Sequence, residues 1–257
     1  GTGAFYQTGS GTTRLSGANT YQGVTQVNGG TLLVNGNQSG ATGATTVASG
    51  ATLGGTGTLG GGVTFGENTT LSPGDGGAGT LNINGSLNLS PTTNNKFELG
   101  QITTPGGALN DFVNVAQNLT LDGQLNVTVS DGGTFLPGLY RLYSYGGTLT
   151  NNVLEVTTLP PGSDSTYGVQ TSIPNQVNLV LSAPQTSSTL QFWDGDLLGA
   201  NHGDGTSGNN EVDGGNGVWQ SRAVGDTNNW TTSTGFGNNP WSCLLYTSPS
   251  PRDMRSS

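Results

Sequence analysis

The sequence contains a single histidine, His202, in Asn201-His-Gly-Asp-Gly205, where an imidazole could serve as a base or a metal ligand. One imidazole does neither alone: a catalytic triad needs a nucleophile and an orienting acid, and a zinc site needs several clustered ligands. His202 therefore reads as a solvated loop residue. Asp194 and Asp196, in Trp-Asp-Gly-Asp, stand two residues apart and would face one side of a strand. Such a carboxylate pair could hydrolyse a polysaccharide, or Asp194 could cap a turn. The stretch Gly203-Asp-Gly-Thr-Ser-Gly-Asn-Asn-Glu-Val-Asp-Gly-Gly215 offers Asp204, Glu211 and Asp213. It resembles the turns that bind calcium through carboxylate and carbonyl oxygens, but it lacks their nine-residue period, and a flexible acidic loop is the other reading. Trp193, Trp219, Trp230 and Trp241 could stack on sugar rings or plug the end of a fold. Asn68, Asn88, Asn118 and Asn126 each head an Asn-x-Ser/Thr triplet. In strands rich in Asn and Thr these triplets arise by chance, and side-chain ladders between stacked strands account for them better. No catalytic residue, cofactor-binding residue or metal ligand is assigned.

Composition narrows the elements that could position these groups. Of 257 residues 46 are glycine and only 8% are charged, with Thr, Asn, Ser, Val and Leu filling most of the rest. These are strand and turn formers, so helical folds are disfavoured. Glycine without a three-residue period excludes collagen, and recurring Val and Leu positions argue against a disordered linker. The net charge of −9, with six Lys plus Arg, leaves no basic stripe for phosphates or anionic headgroups, so nucleic acid is not expected as a partner. No apolar run approaches the roughly 20 residues that span a bilayer. The chain opens on Gly1 without a leader and reads as a piece cut from a longer protein.

A repeat organises the N-terminal third. Thr25-Gln-Val-Asn-Gly-Gly-Thr-Leu32, Thr45-Thr-Val-Ala-Ser-Gly-Ala-Thr-Leu53 and Val63-Thr-Phe-Gly-Glu-Asn-Thr-Thr-Leu71 align with one another. Val27, Val47 and Phe65 recur at 20 and 18 residues, Leu32, Leu53 and Leu71 at 21 and 18, and a second register runs from Leu59 to Leu81 at 22. At roughly 3.3 Å per residue, three short strands and their turns use about twenty residues, one coil of a parallel β-helix. Alternation in Leu81-Asn-Ile-Asn and Leu87-Asn-Leu sends apolar side chains inward and polar ones outward. A sandwich would need more bulk than an aromatic content of 7% provides. The expected fold is all-β, a β-helical solenoid in which Leu32, Leu53 and Leu71 stack in one column.

The repeats are cleanest over residues 1 to about 100. They are interrupted by Leu71-Ser-Pro-Gly-Asp-Gly-Gly-Ala-Gly79, read as a turn because its Pro and glycines cannot continue a strand. From Asn110 the strands lengthen: Asp111–Val115, Leu119–Leu121, Gln124–Val129, Leu139–Tyr143 and Gln176–Leu181 alternate with period two and suggest wider coils. Residues Thr158–Thr166 form a loop. The expected organisation is a β-helix unit over 1–181, a connector over 182–189, and over 190–242 a less regular, Trp-containing block that opens a second unit. Residues 243–257, beginning Cys-Leu-Leu-Tyr-Thr-Ser-Pro-Ser-Pro-Arg-Asp, resemble the translated read-through of a sequencing adapter and are left out of fold reasoning. The remainder has no cysteine, which excludes disulfide scaffolds and thiolate metal sites and suits a chain threaded unfolded through a pore.

Leu15-Ser-Gly-Ala-Asn-Thr-Tyr-Gln-Gly23, followed by Val27-Asn-Gly-Gly-Thr-Leu-Leu-Val-Asn35, resembles the autotransporter-associated β-strand repeat, also called the passenger-associated transport repeat. Ser49–Gly57, Leu71–Gly74 and Gly79–Gly85 continue the pattern in order. Asp111–Val129 is similar to a later segment of the family, and Trp193–Gly195, Gly214–Trp219 and Asn229–Thr231 to the start of its next unit. The resemblance covers most of residues 10 to 242. It implies a right-handed parallel β-helix exported from a bacterium to the cell surface or the medium, with a C-terminal translocator β-barrel further along the chain. It carries over no catalytic set. The expected role is a structural and interaction stalk, not an enzyme, that aids export and serves adhesion or autoaggregation towards molecules on host or neighbouring cells. Two alternatives stand beside it: a tailspike-like polysaccharide hydrolase or lyase using Asp194 and Asp196, and a calcium-stabilised secreted module using loop 203–215.

Overall fold

The computed structural model describes residues 1–161 and 166–182, together with the backbone pairing of 192–193 with 230–231. All regular elements described are strands. Each circuit from the second to the sixth lays one strand on each of three faces. The first coil gives β1 (Phe5–Gln7) and β2 (Thr12–Leu15). The second gives β3 (Thr25–Val27), β4 (Thr31–Val34) and β5 (Asn37–Gln38), and the third β6 (Thr45–Val47), β7 (Thr52–Gly55) and β8 (Thr58–Leu59). The fourth and fifth follow with β9 (Val63–Phe65), β10 (Thr70–Pro73) and β11 (Thr80–Ile83), then β12 (Leu87–Asn88), β13 (Asn94–Leu99) and β14 (Phe112–Val115). The sixth holds β15 (Leu119–Leu121), β16 (Gln124–Val129) and β17 (Gly138–Tyr145). Last come β18 (Leu149–Asn151), β19 (Glu155–Thr158), β20 (Thr166–Gln170) and β21 (Gln176–Ser182).

Strands of the same face pair in parallel from coil to coil, giving three seven-stranded sheets. On the first sheet Phe5, Thr25, Thr45, Val63, Leu87, Leu119 and Leu149 form one row, so successive coils take 20, 20, 18, 24, 32 and 30 residues. The fold is thus the expected parallel β-helix, and its coils lengthen at the fourth and sharply at the fifth. Gly1–Ser182 is one compact unit and Ala183–Ser257 another. In the second unit β22 (Phe192–Trp193) pairs antiparallel with β23 (Trp230–Thr231).

The core is a set of axial columns. Leu32 lies opposite Leu53 and Leu53 opposite Leu71, all fully buried. Val27, Val47 and Phe65 form a second column. Leu59, by contrast, lies opposite Ile83, while Leu81 faces Val113, so the 22-residue register is corrected to 24. Leu81 and Ile83 point to the same side of one strand, and hydrophobic pattern alone cannot tell which of them a neighbour meets.

The expected turn at Leu71 also begins later. Leu71, Ser72 and Pro73 belong to β10, and the chain turns at Gly74. Pairing of β13 with β10 ends at Leu71–Asn95, so no strand asks for the N–H that Pro73 lacks. Across from it, Gly55 has φ of 114°, and a Cβ there would lie 2.2 Å from the Val34 carbonyl oxygen, so only glycine fits. The last strands depart from the solenoid: β21 pairs antiparallel with both β17 and β20, which closes the third sheet with a hairpin.

The Leu32–Leu53–Leu71 column continues not with a leucine but with Asn95, itself fully buried, and then Leu125. Asn95 Nδ2 donates to the carbonyls of Thr93 (3.1 Å), Asp122 (3.3 Å) and Gln124 (3.3 Å), and its Oδ1 accepts from the Tyr143 hydroxyl at 2.8 Å. The Tyr143 ring meets Phe97 edge-on with centroids 5.4 Å apart. Every polar atom of this amide is satisfied, so the node fixes register without an exposed cost. Asn95→Leu should lose about 1–3 kcal/mol, because it strands the buried Tyr143 hydroxyl and removes the amide's bonds to the Thr93, Asp122 and Gln124 carbonyls. The double change Asn95→Leu/Tyr143→Phe should lose less than the sum of the single changes. Denaturant titrations of the four proteins check this as a double-mutant cycle.

Candidate functional site

Among the residues singled out above, His202, Asp194, Asp196, Asp204, Glu211, Asp213, Trp219 and Trp241 lie outside the described residues. Of Trp193 and Trp230 only the backbone is placed, and the two stand opposite each other in the β22–β23 pair. The Asn-x-Ser/Thr asparagines are all described. Asn126 Nδ2 donates to Asn94 Oδ1 of the coil before it at 2.8 Å, and Asn88 Oδ1 accepts from the Thr120 hydroxyl of the next coil at 3.0 Å. Asn118 Oδ1 accepts from the Thr148 N–H at 2.9 Å, again one coil on. Asn68 occupies a turn at φ 54°. Three of the four are therefore rungs between coils, as expected from the strand pattern.

These rungs lie on long outward rows. On the first sheet Gln26, Thr46, Thr64, Asn88, Thr120 and Thr150 follow one another, one residue per coil and none charged. On the third sheet Asn114 Nδ2 donates to Asn82 Oδ1 at 3.3 Å. Charge enters at the second sheet. Arg14 Nε and Nη2 clasp both oxygens of Asp75 at 2.7 and 2.9 Å, and Asn35 Nδ2 adds a third bond at 2.7 Å. The guanidinium and the amide hold the Asp75 carboxyl below its ordinary range, and the carboxylate in turn raises Arg14. This fork ties the turn after β10 to the first two coils.

Among the described residues, sequence reasoning missed the carboxyl that burial perturbs most. Asp111, at the entry to β14, is 1% exposed, and its oxygens accept from the Gly79 N–H (2.7 Å) and the Glu98 N–H (2.8 Å). Its neighbour Asn110 accepts from the N–H groups of Gly100 and Gln101 and donates to the carbonyls of Gln101 and Thr104. Together they pin the twelve-residue excursion between β13 and β14 that widens the fifth coil. Asp111 also borders a groove of about 240 Å³ with Ser72, Lys96, Phe97, Glu98, Asn126 and Thr128. Both its oxygens are committed to backbone donors, which makes it a clamp and not a free base.

Burial, aided by the nearby Glu98 charge, pushes the Asp111 carboxyl up to about 7 against the pull of its two N–H donors. Between about pH 4 and pH 7 the folded chain then holds a proton that the unfolded chain has released, so stability falls as pH rises through that window and levels off above it. The melting temperature of the chain should drop from pH 5 to pH 7.5. Asp111→Asn should flatten that slope while costing about 1–3 kcal/mol for the backbone donor it no longer serves. Thermal melts at a series of pH values read both effects.

Comparison with known proteins agrees with the stacked coils. Residues 5–34 match the passenger-associated-transport-repeat family, a span that covers β1 to β4. Over 247 residues, 94% of this chain, the sequence is 48% identical to the adhesin BmaC autotransporter of Brucella suis biovar 1 (strain 1330). The chain spans 7% of the length of that relative. With a repeat match at its first coils and this similarity along almost all of its length, the chain resembles a passenger segment of the autotransporter kind, and it winds into a parallel β-helix.

Proposed function

We propose that this chain is a stiff stalk segment, displayed on the bacterial surface or secreted, whose folding outside the cell helps draw the passenger out and whose outer faces serve adhesion or autoaggregation, not catalysis. The observation that carries the reading is where the polar side chains are spent. Asn95, Asn110 and Asp111 hold backbone groups of their own and adjacent coils, and Asn82, Asn88, Asn94 and Asn126 bridge coils on the outside. Among the described residues, these side chains that a catalytic centre would need free are engaged in holding shape. What remains for a partner is an extended, nearly uncharged surface of Thr and Asn. The similarity to an adhesin points the same way.

In this reading residues 1–181 form one β-helix unit, 182–189 a connector and 190–242 the opening of the next, and a C-terminal translocator β-barrel completes the protein. Its partners are molecules on host or neighbouring cells, and the net charge of −9 disfavours nucleic acid among them.

Two kinds of variant in the complete autotransporter separate the roles. Leu53→Asp buries a charge in the central column and should cut the amount of passenger displayed by about fivefold or more, read by protease shaving of intact cells. Thr64→Lys with Thr150→Lys alters only the outward row of the first sheet. Display should be unchanged while binding to host or sister cells falls. Cell binding that follows the displayed amount alone, indifferent to both lysines, would remove the adhesive role from this face.

A further inference from the structure

A β-helix leaves unpaired backbone only where its sheets end, and proteins blunt such edges with charge, proline, bulges or brevity. Among the described residues the three sheets end on six strands. The first sheet ends on β1 and β18, three residues each, and β5, at one end of the third, has two. The second ends on β2 and β19, four residues each, which carry Arg14 and Glu155. The remaining edge, β20, is the longest at five residues, Thr166-Tyr-Gly-Val-Gln170, and has no charge, proline or bulge. Its partner β21 carries no charge either.

The side chains of β20 deepen the contrast. Tyr167 is 50% exposed although it shares a face with Val169, which packs against the core. A groove of about 350 Å³ runs along the strand, lined by Tyr167, Gly168, Val169, Gln170, Val180 and Ser182. A side chain built at Gly168 meets no atom within 4 Å.

We propose that this edge is a docking site for a second copy of the chain, with β20 pairing antiparallel to β20 about a two-fold axis at Gly168. The sequence of the strand is complementary to itself under that operation. Gly168 falls opposite Gly168, Tyr167 opposite Val169 twice, and Thr166 opposite Gln170 twice. Aromatic against β-branched is a favourable cross-strand pair, and it covers the exposed Tyr167 ring. A two-fold contact closes on itself and gives a dimer, not a fibre. Charge selects the place: in a chain of net charge −9, two copies approach with least repulsion through an uncharged strand pair. The inference gives a site to the autoaggregation arm of the function proposed above and rests on it.

Sedimentation equilibrium of the 257-residue chain, with Cys243 kept reduced, reads the pairing directly. An interface this small belongs to the weak class, so the average mass should climb from 26.0 kDa towards twice that value between about 10 µM and 1 mM. Gly168→Asp and Gly168→Lys each set like charges face to face on the axis and should leave monomers. An equimolar mixture of the two should dimerise again, because Asp then opposes Lys. Open space at Gly168 predicts unchanged melting temperatures, which separates lost pairing from lost folding. A wild-type chain that stays monomeric at 1 mM, dimers that survive Gly168→Asp, or variants that the mixture fails to rescue would each overturn the proposal. Cell binding measured with Gly168→Asp in the complete autotransporter is independent of it: binding retained beside a monomeric wild-type chain sinks the pairing and leaves the adhesive reading standing.

Discussion

Every strand of the solenoid depends on the backbone hydrogen bonds it exchanges with the coil before and the coil after. No coil can bury its own apolar face, since three strands of two to eight residues enclose too little volume. Stacking removes the difficulty twice over. It pairs N–H and C=O groups along the axis, and it closes the columns of Val, Leu and Phe into a continuous core. The same constraint explains the composition. A core one residue thick per face needs few large side chains, and corners repeated every coil need many glycines, so a chain with 46 glycines and 7% aromatics folds without contradiction.

Where coils change length, polar groups take over from apolar ones. The second, third and fourth coils have cores mainly of Val, Leu, Ile and Phe, with Thr25, Gln38, Thr45 and Thr69 buried beside them, and the columns run straight. At the fifth, which is 32 residues long, Asn95 enters the leucine column, Tyr143 reaches it from the next coil, and Asn110 and Asp111 fasten the added loop. A longer coil leaves backbone groups at its corners that neither neighbour can pair. Buried amides and a carboxyl supply the missing partners. Burial keeps the Tyr143 hydroxyl well above its ordinary value, so it stays a neutral donor. The wide coils thus add a buried hydrogen-bonded node to the hydrophobic packing that runs through all the coils.

That division decides what could be read from the sequence. The columns Leu32–Leu53–Leu71 and Val27–Val47–Phe65 were legible because equal spacing and residue type repeat together. Leu59 was misassigned because the two inward residues Leu81 and Ile83 are alike. Pro73 hid a strand end, since whether a neighbour needs its N–H depends on a partner 20 or more residues away. Asn95 had a signal, for it alternates in step with Phe97 and Leu99 in Asn94–Leu99 and so had to face inward. Asp111 had none: its partners are backbone groups of Gly79 and Glu98, and any residue could have supplied those. The reversed direction of β21 was equally hidden, because alternation reports which face is buried and never which way the strand runs.

Shape, then, is the part of this molecule that function can use. Its rows repeat with the strand spacing of roughly 4.8 Å, so neighbouring Thr and Asn groups are held at fixed separations along the axis. A ligand that is itself periodic or extended meets many weak contacts in register, and rigidity spares it the entropy of ordering them. In the adhesive role proposed above, many coils in series would add small per-coil contacts into avidity, which gives length and an uncharged outer row a shared purpose.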